Sequence, residues 1–423
     1  MRVQDTAMAA AAAGDDAPSE PEVIIVGAGL SGLAASACLS LRGVRSLVLE
    51  RDDCVGSLWR KRAYDRLTLQ LHKRVSALPH APHPAAAPAY LSRDDFAGYL
   101  DGYAARFAVR ARLGRDVHAA RFDAGKGRWV VEAVDLATGE AERYAARYLV
   151  AATGPYDEKV VPEVAGLEGF PGKVMHASEY RSARGLGLEG RPVLVVGCGN
   201  SGMEIALDLA DAGARTSIVV RSELHLVTKE IFNLGISLTK YLPIWIIDKL
   251  VLFMCYLVLG DTSRHGLRRP AMGPFARKQH CSAVPVIDAG TYSKIKTGEI
   301  QVRPAMTSVH GNTVEFADGT RHPFDAIVFA TGYRSGIKRW LQDDGGMIGD
   351  DGRTRQGRVK GENGLYFVGL SGNTIQGSGA EAEIVADDIS KQLRRGDAGH
   401  SRSNGIHLGP ELYVNGSGAS IDA

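Results

Sequence analysis

The stretch VIIVGAGLSGLAASACLSLRGVRSLVLE, residues 23–50, decides the fold of this 423-residue chain. Val23 to Val26 is a β-branched run suited to a buried strand. It leads straight into Gly27, Gly29 and Gly32, then into a helical stretch, and a second apolar run from Ser46 to Leu49 ends at Glu50. Strand, glycine turn, helix, strand and acid in this order make a βαβ unit built to receive a dinucleotide. The first glycine makes the tight turn, the second lets the backbone approach a pyrophosphate, and the third lets helix pack on strand. An anion then rests on the unpaired N–H groups of the helix start. The candidate binding set is therefore Gly27, Ala28, Gly29, Leu30, Ser31 and Gly32. Glu50, 18 residues past Gly32, is placed to accept hydrogen bonds from a ribose, with Arg51 beside it.

The same pattern returns 170 positions later as VLVVGCGNSGMEIALDLADAGARTSIVV, residues 193–220. The second set is Gly197, Cys198, Gly199, Asn200, Ser201 and Gly202. At this offset Gly43 matches Gly213 and Arg45 matches Arg215, while Glu50 is matched by Val220 and Arg51 by Arg221. The second unit thus lacks the ribose-binding acid and keeps a cation beside the vacated place. A 2′-phosphate requires that exchange, because a carboxylate would repel it and a guanidinium can pair with it. NADPH is favoured over NADH, with Ser222 and Lys229 as helpers.

Composition agrees with a two-core α/β enzyme. Fifty glycines exceed ordinary usage without a collagen period, and 45% apolar with 23% charged residues excludes a largely disordered chain. Fifty Lys and Arg against 48 Asp and Glu leave no global basic field that would point to nucleic acid. The cysteines at 38, 54, 198, 255 and 281 form neither a disulfide framework nor a zinc motif, so no metal is expected and a reducing, cytoplasmic setting fits. Pro243, Asp248 and Lys249 interrupt the apolar stretch Tyr241–Gly260, which reads as a buried or interfacial helix rather than a span. Association with a membrane surface, such as that of the endoplasmic reticulum, stays open.

One chain with two dinucleotide units is most economically a flavoenzyme, FAD in the first unit and NADPH delivering hydride from the second. Apolar strands end in Thr153-Gly154 and in Thr331-Gly332-Tyr333, where the chain passes between units. Leu365–Leu370 reads as a strand and Ala380–Leu393 as an amphipathic helix that completes the first domain. The expected organisation is a disordered leader (1–21), an FAD-binding domain in two pieces (22–165 and 325–395), an inserted NADPH-binding domain with a linker motif (166–324), and a disordered tail (396–423). No cysteine pair lies near the first helix, so oxygen is the plausible electron acceptor.

Phe170, Gly172, His176 and Tyr180 spell F-x-G-x-x-x-H-x-x-x-Y between the units. This resembles the identifying motif of class B flavin-dependent monooxygenases. The segments GCGNSGME (197–204), GDTSRHGLRRP (260–270) and DAIVFATGY (325–333) resemble most widely the plant YUCCA branch, the indole-3-pyruvate monooxygenases of auxin synthesis. The resemblance implies oxidative decarboxylation of a 2-oxo acid with O2 through a C4a-peroxyflavin, with no Ser-His-Asp set. It implies a linker and cofactor-positioning role for the motif, and a flavin-proximal place for Trp59. The other readings are a generalist N- or S-oxygenase and a non-catalytic dinucleotide-binding paralogue. The chain departs from that branch at Leu67-Thr-Leu-Gln70-Leu-His72-Lys73, where relatives read L-x-L-H-L-P-K, and at Gly369–Gly377, where two arginines are replaced. Gln70 is the candidate polar group near the flavin.

Overall fold

A computed structural model describes residues 20–281, 283–372 and 375–399. The first unit runs β1 (Val23–Val26), α1 (Leu30–Ser40), β2 (Ser46–Leu49), α2 (Lys73–Ser76), α3 (Arg93–Arg106), β3 (Ala111–Arg112), an antiparallel meander β4 (Arg115–Asp123), β5 (Arg128–Asp135) and β6 (Ala141–Ala146), then β7 (Tyr148–Ala151). The connector strand β8 (Glu158–Lys159) leads out to β9 (Lys173–His176). The second unit follows as β10 (Pro192–Val196), α4 (Asn200–Asp211), β11 (Arg215–Val219), β12 (Leu226–Val227), α5 (Lys229–Leu238), α6 (Ile244–Leu259), α7 (Pro274–Cys281), β13 (Val286–Ile287), α8 (Thr291–Thr297) and β14 (Ile300–Arg303). Its own meander, β15 (Met306–His310), β16 (Thr313–Phe316) and β17 (Arg321–Pro323), precedes β18 (Ala326–Phe329). The chain returns through β19 (Tyr333–Arg334) and α9 (Ile337–Trp340) to β20 (Leu365–Phe367) and α10 (Ile375–Gly399).

Two five-stranded parallel sheets result, ordered β20-β7-β1-β2-β3 and β9-β18-β10-β11-β14. Four strands correspond in order, β7-β1-β2-β3 with β18-β10-β11-β14, so the repeat seen at offset 170 extends through the meanders; the outer strand differs, β20 coming from the end of the chain and β9 from before β10. The central strands explain themselves: Val23–Val26 is buried on both faces, as a parallel strand covered by layers on each side must be. Helix α1 is rich in Ala, Ser and Gly, which lets it lie close on the sheet with nine of its eleven residues buried.

Strand β18 pairs with β10 and β9, which places Ala326–Phe329 in the second sheet. The boundary expected at 325 is therefore too early: the connection back to the first unit begins after β18, because this strand pairs with β10 in the second sheet as β7 pairs with β1 in the first. Helix α10 runs from Ile375 to Gly399, longer at both ends than the Ala380–Leu393 expected and past the Gly396 expected to open the tail. The rest of that tail, and the leader up to Ser19, lie outside the described residues. The connectors β8 and β19 pair antiparallel, so both crossings between units run side by side. Helix α6 starts after Pro243, and no helix among the described residues is long and apolar enough to cross a membrane.

Candidate functional site

Both glycine turns adopt the same geometry, and each glycine has its own reason. Gly27 (φ +105°) and Gly197 (φ +111°) sit in the left-handed region, where a Cβ would lie 2.7 Å from the Ala152 carbonyl oxygen and 2.6 Å from that of Ala330. A Cβ on Gly32 would meet the Gly27 carbonyl oxygen at 1.8 Å, and one on Gly202 that of Gly197 at 2.0 Å. Gly29 and Gly199 face open space, with nothing within 4 Å. They are also the N-caps of α1 and α4 and provide no side-chain cap, so the first N–H groups of both helices are left for an anion. Gly154 and Gly332 likewise face open space, and the Thr153 hydroxyl beside Gly154 is buried without a partner. Free helix starts, open glycine faces and an orphaned hydroxyl at the strand ends fit two dinucleotides. The packing of Ala152 and Ala330 against the turns explains why both Ala-Thr-Gly steps belong to the site.

Glu50 is nearly buried, its Oε2 accepting from the Ala28 N–H at 2.6 Å and its Oε1 from the Asp52 N–H at 2.9 Å. Burial raises its pKa, while these two backbone N–H groups pull it down. The carboxylate thus braces the turn and keeps lone pairs for a ribose. Leu30 lies in the first turn of α1, and Ser31 packs under Gly369, whose Cβ would meet the Ser31 hydroxyl at 2.1 Å. Arg51 pairs with Asp157 at 2.7 Å, a connector carboxylate that also holds Arg339 at 2.8 Å and Arg62 at 3.8 Å. Trp59 packs edge-on against Phe96 at 4.7 Å in the first core.

In the second unit Arg221 is exposed and has no acid partner among the described residues. Cys198, Gly199 and Ser222 line a cleft of about 190 Å³ together with Arg277, a second cation that the sequence reading missed. Burial pushes the Cys198 thiol up to about 11, which leaves it a neutral wall. The Asn200 side chain accepts from the Ile287 N–H at 2.7 Å and ties α4 to β13, and Ser201 approaches the Tyr64 hydroxyl. Lys229 corrects an expectation. Its ammonium donates to the Thr68 hydroxyl at 2.5 Å and lies over the Tyr90 ring, so it clasps a first-unit loop instead of serving the Arg221 end.

The linker motif is a structural pin. Phe170 is buried in a core of the second unit, and a Cβ on Gly172 would meet the Asp325 carbonyl oxygen at 2.3 Å. Tyr180 donates to Asp208 at 2.5 Å. His176 Nδ1 accepts from the Ser178 N–H at 3.2 Å, which puts the ring proton on Nε2, and Nε2 donates to the Gly332 carbonyl at 3.1 Å. Burial lowers the His176 pKa, so the ring is held neutral against the return connector, edge-on to Tyr333 at 4.9 Å. Gly332 and Thr331 are thus held from the β8 side too, since the Thr331 hydroxyl donates to the Val160 carbonyl. Gln70 is half-buried, its backbone carbonyl accepting from the Asn233 side chain of α5 at 3.1 Å. Glu204, Tyr64 and Asn233 were missed because their partners lie far away in sequence.

A family model described as flavin-binding monooxygenase-like matches residues 20–338. A probable indole-3-pyruvate monooxygenase, YUCCA10 of Arabidopsis thaliana, is 45% identical over 378 residues, covering 88% of this chain and 98% of that protein. The indole-3-pyruvate monooxygenase YUCCA4 of Oryza sativa subsp. japonica is 45% identical over 399 residues, covering 90% of each. Among solved structures, OTEMO in complex with FAD and NADP superposes with a TM-score of 0.70 at 18% identity, covering 89% of this chain and 86% of that one. That likeness shows the fold.

Proposed function

Since the chain belongs to the flavin-binding monooxygenase-like family, in its YUCCA branch, we propose that it is an NADPH-dependent FAD monooxygenase converting indole-3-pyruvate to indole-3-acetate. The observation that carries this reading is the pair of uncapped glycine turns, both open at the second glycine, in a chain that matches these relatives over nearly its whole length. The first turn, with Glu50, Gly154 and Thr153, would hold FAD. The second, with Arg221, Ser222 and Arg277 around the cleft, would hold NADPH. Bound FAD supplies the oxygen-activating chemistry, and NADPH supplies the hydride that reduces it.

The remaining tasks fall to the chain. Helix starts α1 and α4 bind the two pyrophosphates, Arg221 selects the 2′-phosphate, and His176 and Asp157 fix the two connectors that set one unit against the other. Water must be kept from the reacting centre, and the loop Tyr64–Lys73, whose Tyr64, Leu67 and Leu71 pack on the second unit, would close the seam between units. For a 2-oxo acid, one atom of O2 would end on the keto carbon and the bond to the carboxyl carbon would break, releasing CO2 and the shorter acid, while the other oxygen atom leaves as water with the two electrons that NADPH supplies. The test is a keto-acid assay run beside a methimazole-type assay. Equal NADPH consumption and CO2 release with indole-3-pyruvate supports the reading; oxygenation of methimazole with the keto acid untouched replaces it by a generalist oxygenase.

We also propose that α6 rests on a phospholipid surface, such as the cytoplasmic face of the endoplasmic reticulum. Ile247, Val251 and Cys255 face the core, while Trp245, Phe253, Tyr256 and Leu257 on the other side are each more than half exposed, with Lys249 over the Trp245 ring. The protein should sediment with vesicles containing anionic lipid, and Phe253→Glu/Leu257→Glu should stay in the supernatant. Equal sedimentation of both would refute this.

A further inference from the structure

The loop Tyr64–Lys73 leaves the first unit and is sewn onto the second. Tyr64 is 4% exposed and sits in the core of the second sheet, Leu67 packs on that core, and Leu71 packs against the cluster formed by α5, α6 and α7. Arg66 reaches Asp208 and Asp211 of α4 at 3.5 and 3.0 Å. The middle of the loop is held by Asn233 of α5. Its Oδ1 accepts from the His72 N–H at 3.1 Å, and its Nδ2 donates to the Gln70 carbonyl at 3.1 Å. A carbonyl and an N–H two residues apart on one edge are what a single residue of a parallel neighbouring strand would pair through its own N–H and C=O. The side-chain amide of Asn233 supplies both groups in place of that residue. Nδ2 also faces the Lys229 carbonyl at 2.7 Å and the Tyr90 hydroxyl at 3.3 Å, which fixes its rotamer.

What this holds in place is the backbone that carries Gln70, a half-buried residue of the loop packed against the second unit.

We propose that Asn233 is a positioning residue: as a substitute strand edge it sets the backbone of residues 70–72 across the seam, holds Gln70 between the units, and so keeps NADPH oxidation coupled to product. The coupling part rests on the monooxygenase reading; the positioning part does not. The test compares Asn233→Leu, which removes all four side-chain bonds, with Asn233→Asp, which keeps the acceptor for His72 and loses the donors, and with Gln70→Leu. In Asn233→Leu, amide hydrogen exchange at His72 should accelerate about tenfold, as expected for loss of a bond worth about 1.4 kcal/mol. Exchange in Asn233→Asp should lie between this variant and the unaltered enzyme.

Hydrogen peroxide formed per NADPH should rise about fivefold in Asn233→Leu, with flavin content and the rate of flavin reduction by NADPH within about twofold of the unaltered enzyme. Gln70→Leu should raise peroxide by the same factor, and the double variant should be no worse than either single one, because both act through one group. Unchanged exchange at His72, unchanged peroxide in Asn233→Asp and Gln70→Leu, or a multiplicative double variant would each overturn the proposal. If Asn233→Leu does not fold, Asn233→Asp and Gln70→Leu decide on the same criteria. An unaltered enzyme that makes no carboxylic acid would refute the proposed function, and His72 exchange would still decide the positioning claim.

Discussion

Replacing Arg221 by Ala tests the cofactor assignment of the second unit where it is most specific. The guanidinium is exposed, carries no acid partner among the described residues, and follows the strand end where Glu50 stands in the first unit. A charge-assisted hydrogen bond to a phosphate contributes about 1.5–3 kcal/mol, and 1.4 kcal/mol is a factor of ten. Exposure brings salt screening, so at physiological ionic strength the lower end applies. The KM for NADPH should therefore rise about tenfold, and more at low salt, while the KM for NADH should stay within about twofold, since NADH has no 2′-phosphate. Steady-state flavin reduction with each nucleotide at two salt concentrations reads this directly. A parallel rise for NADPH and NADH would refute the reasoning, because it would show Arg221 holding the pyrophosphate or the fold. Retained NADPH preference would transfer the phosphate to Arg277.

Gly29→Ala should leave the thermal midpoint of the flavin-free protein unchanged and abolish flavin retention, whereas Gly32→Ala, whose methyl would sit 1.8 Å from a carbonyl oxygen, should lower that midpoint as well. Asp157→Asn leaves Arg51, Arg62 and Arg339 without their shared charge and should cost about 1.5–3 kcal/mol, read as a lower urea midpoint. His176 has a folded pKa below its unfolded value, so the unfolded chain binds the extra proton first and stability falls as pH drops below about 6.5, levelling near the folded pKa. His176→Asn should flatten that part of the pH dependence relative to the unaltered protein; an identical slope would show that the ring is solvated.

The parts of this molecule set by short-range geometry were legible. The positive φ of Gly27 and the close approach of Gly32 to Gly27 are fixed within one βαβ unit, Gly29 is left open for the ligand, and the second unit repeats all three at constant spacing. The contacts of Ala152 and Ala330 with those turns were only hinted at by two similar strand ends, because the pairing is tertiary. The matching meanders escaped notice since loops of different length shift the register: Tyr148 and Ala326 open equivalent strands 178 positions apart, not 170. That same drift hid the membership of β18. Lys229 was misread because a lysine near a strand end says nothing of Thr68, 161 residues earlier. Asn233 gave no signal at all, since what it does depends on backbone groups 161 and 163 residues away. Gln70 stood out as a departure from the family pattern, but its tie to Asn233 of the second unit needed the fold.

The proposed reaction has both units working on one keto acid. Its most direct test is the ratio of CO2 released to NADPH consumed by the purified flavoprotein with indole-3-pyruvate under air. A ratio close to one, with indole-3-acetate formed in equal amount, is the predicted result. NADPH oxidation that yields hydrogen peroxide alone, with the keto acid recovered intact, would contradict it.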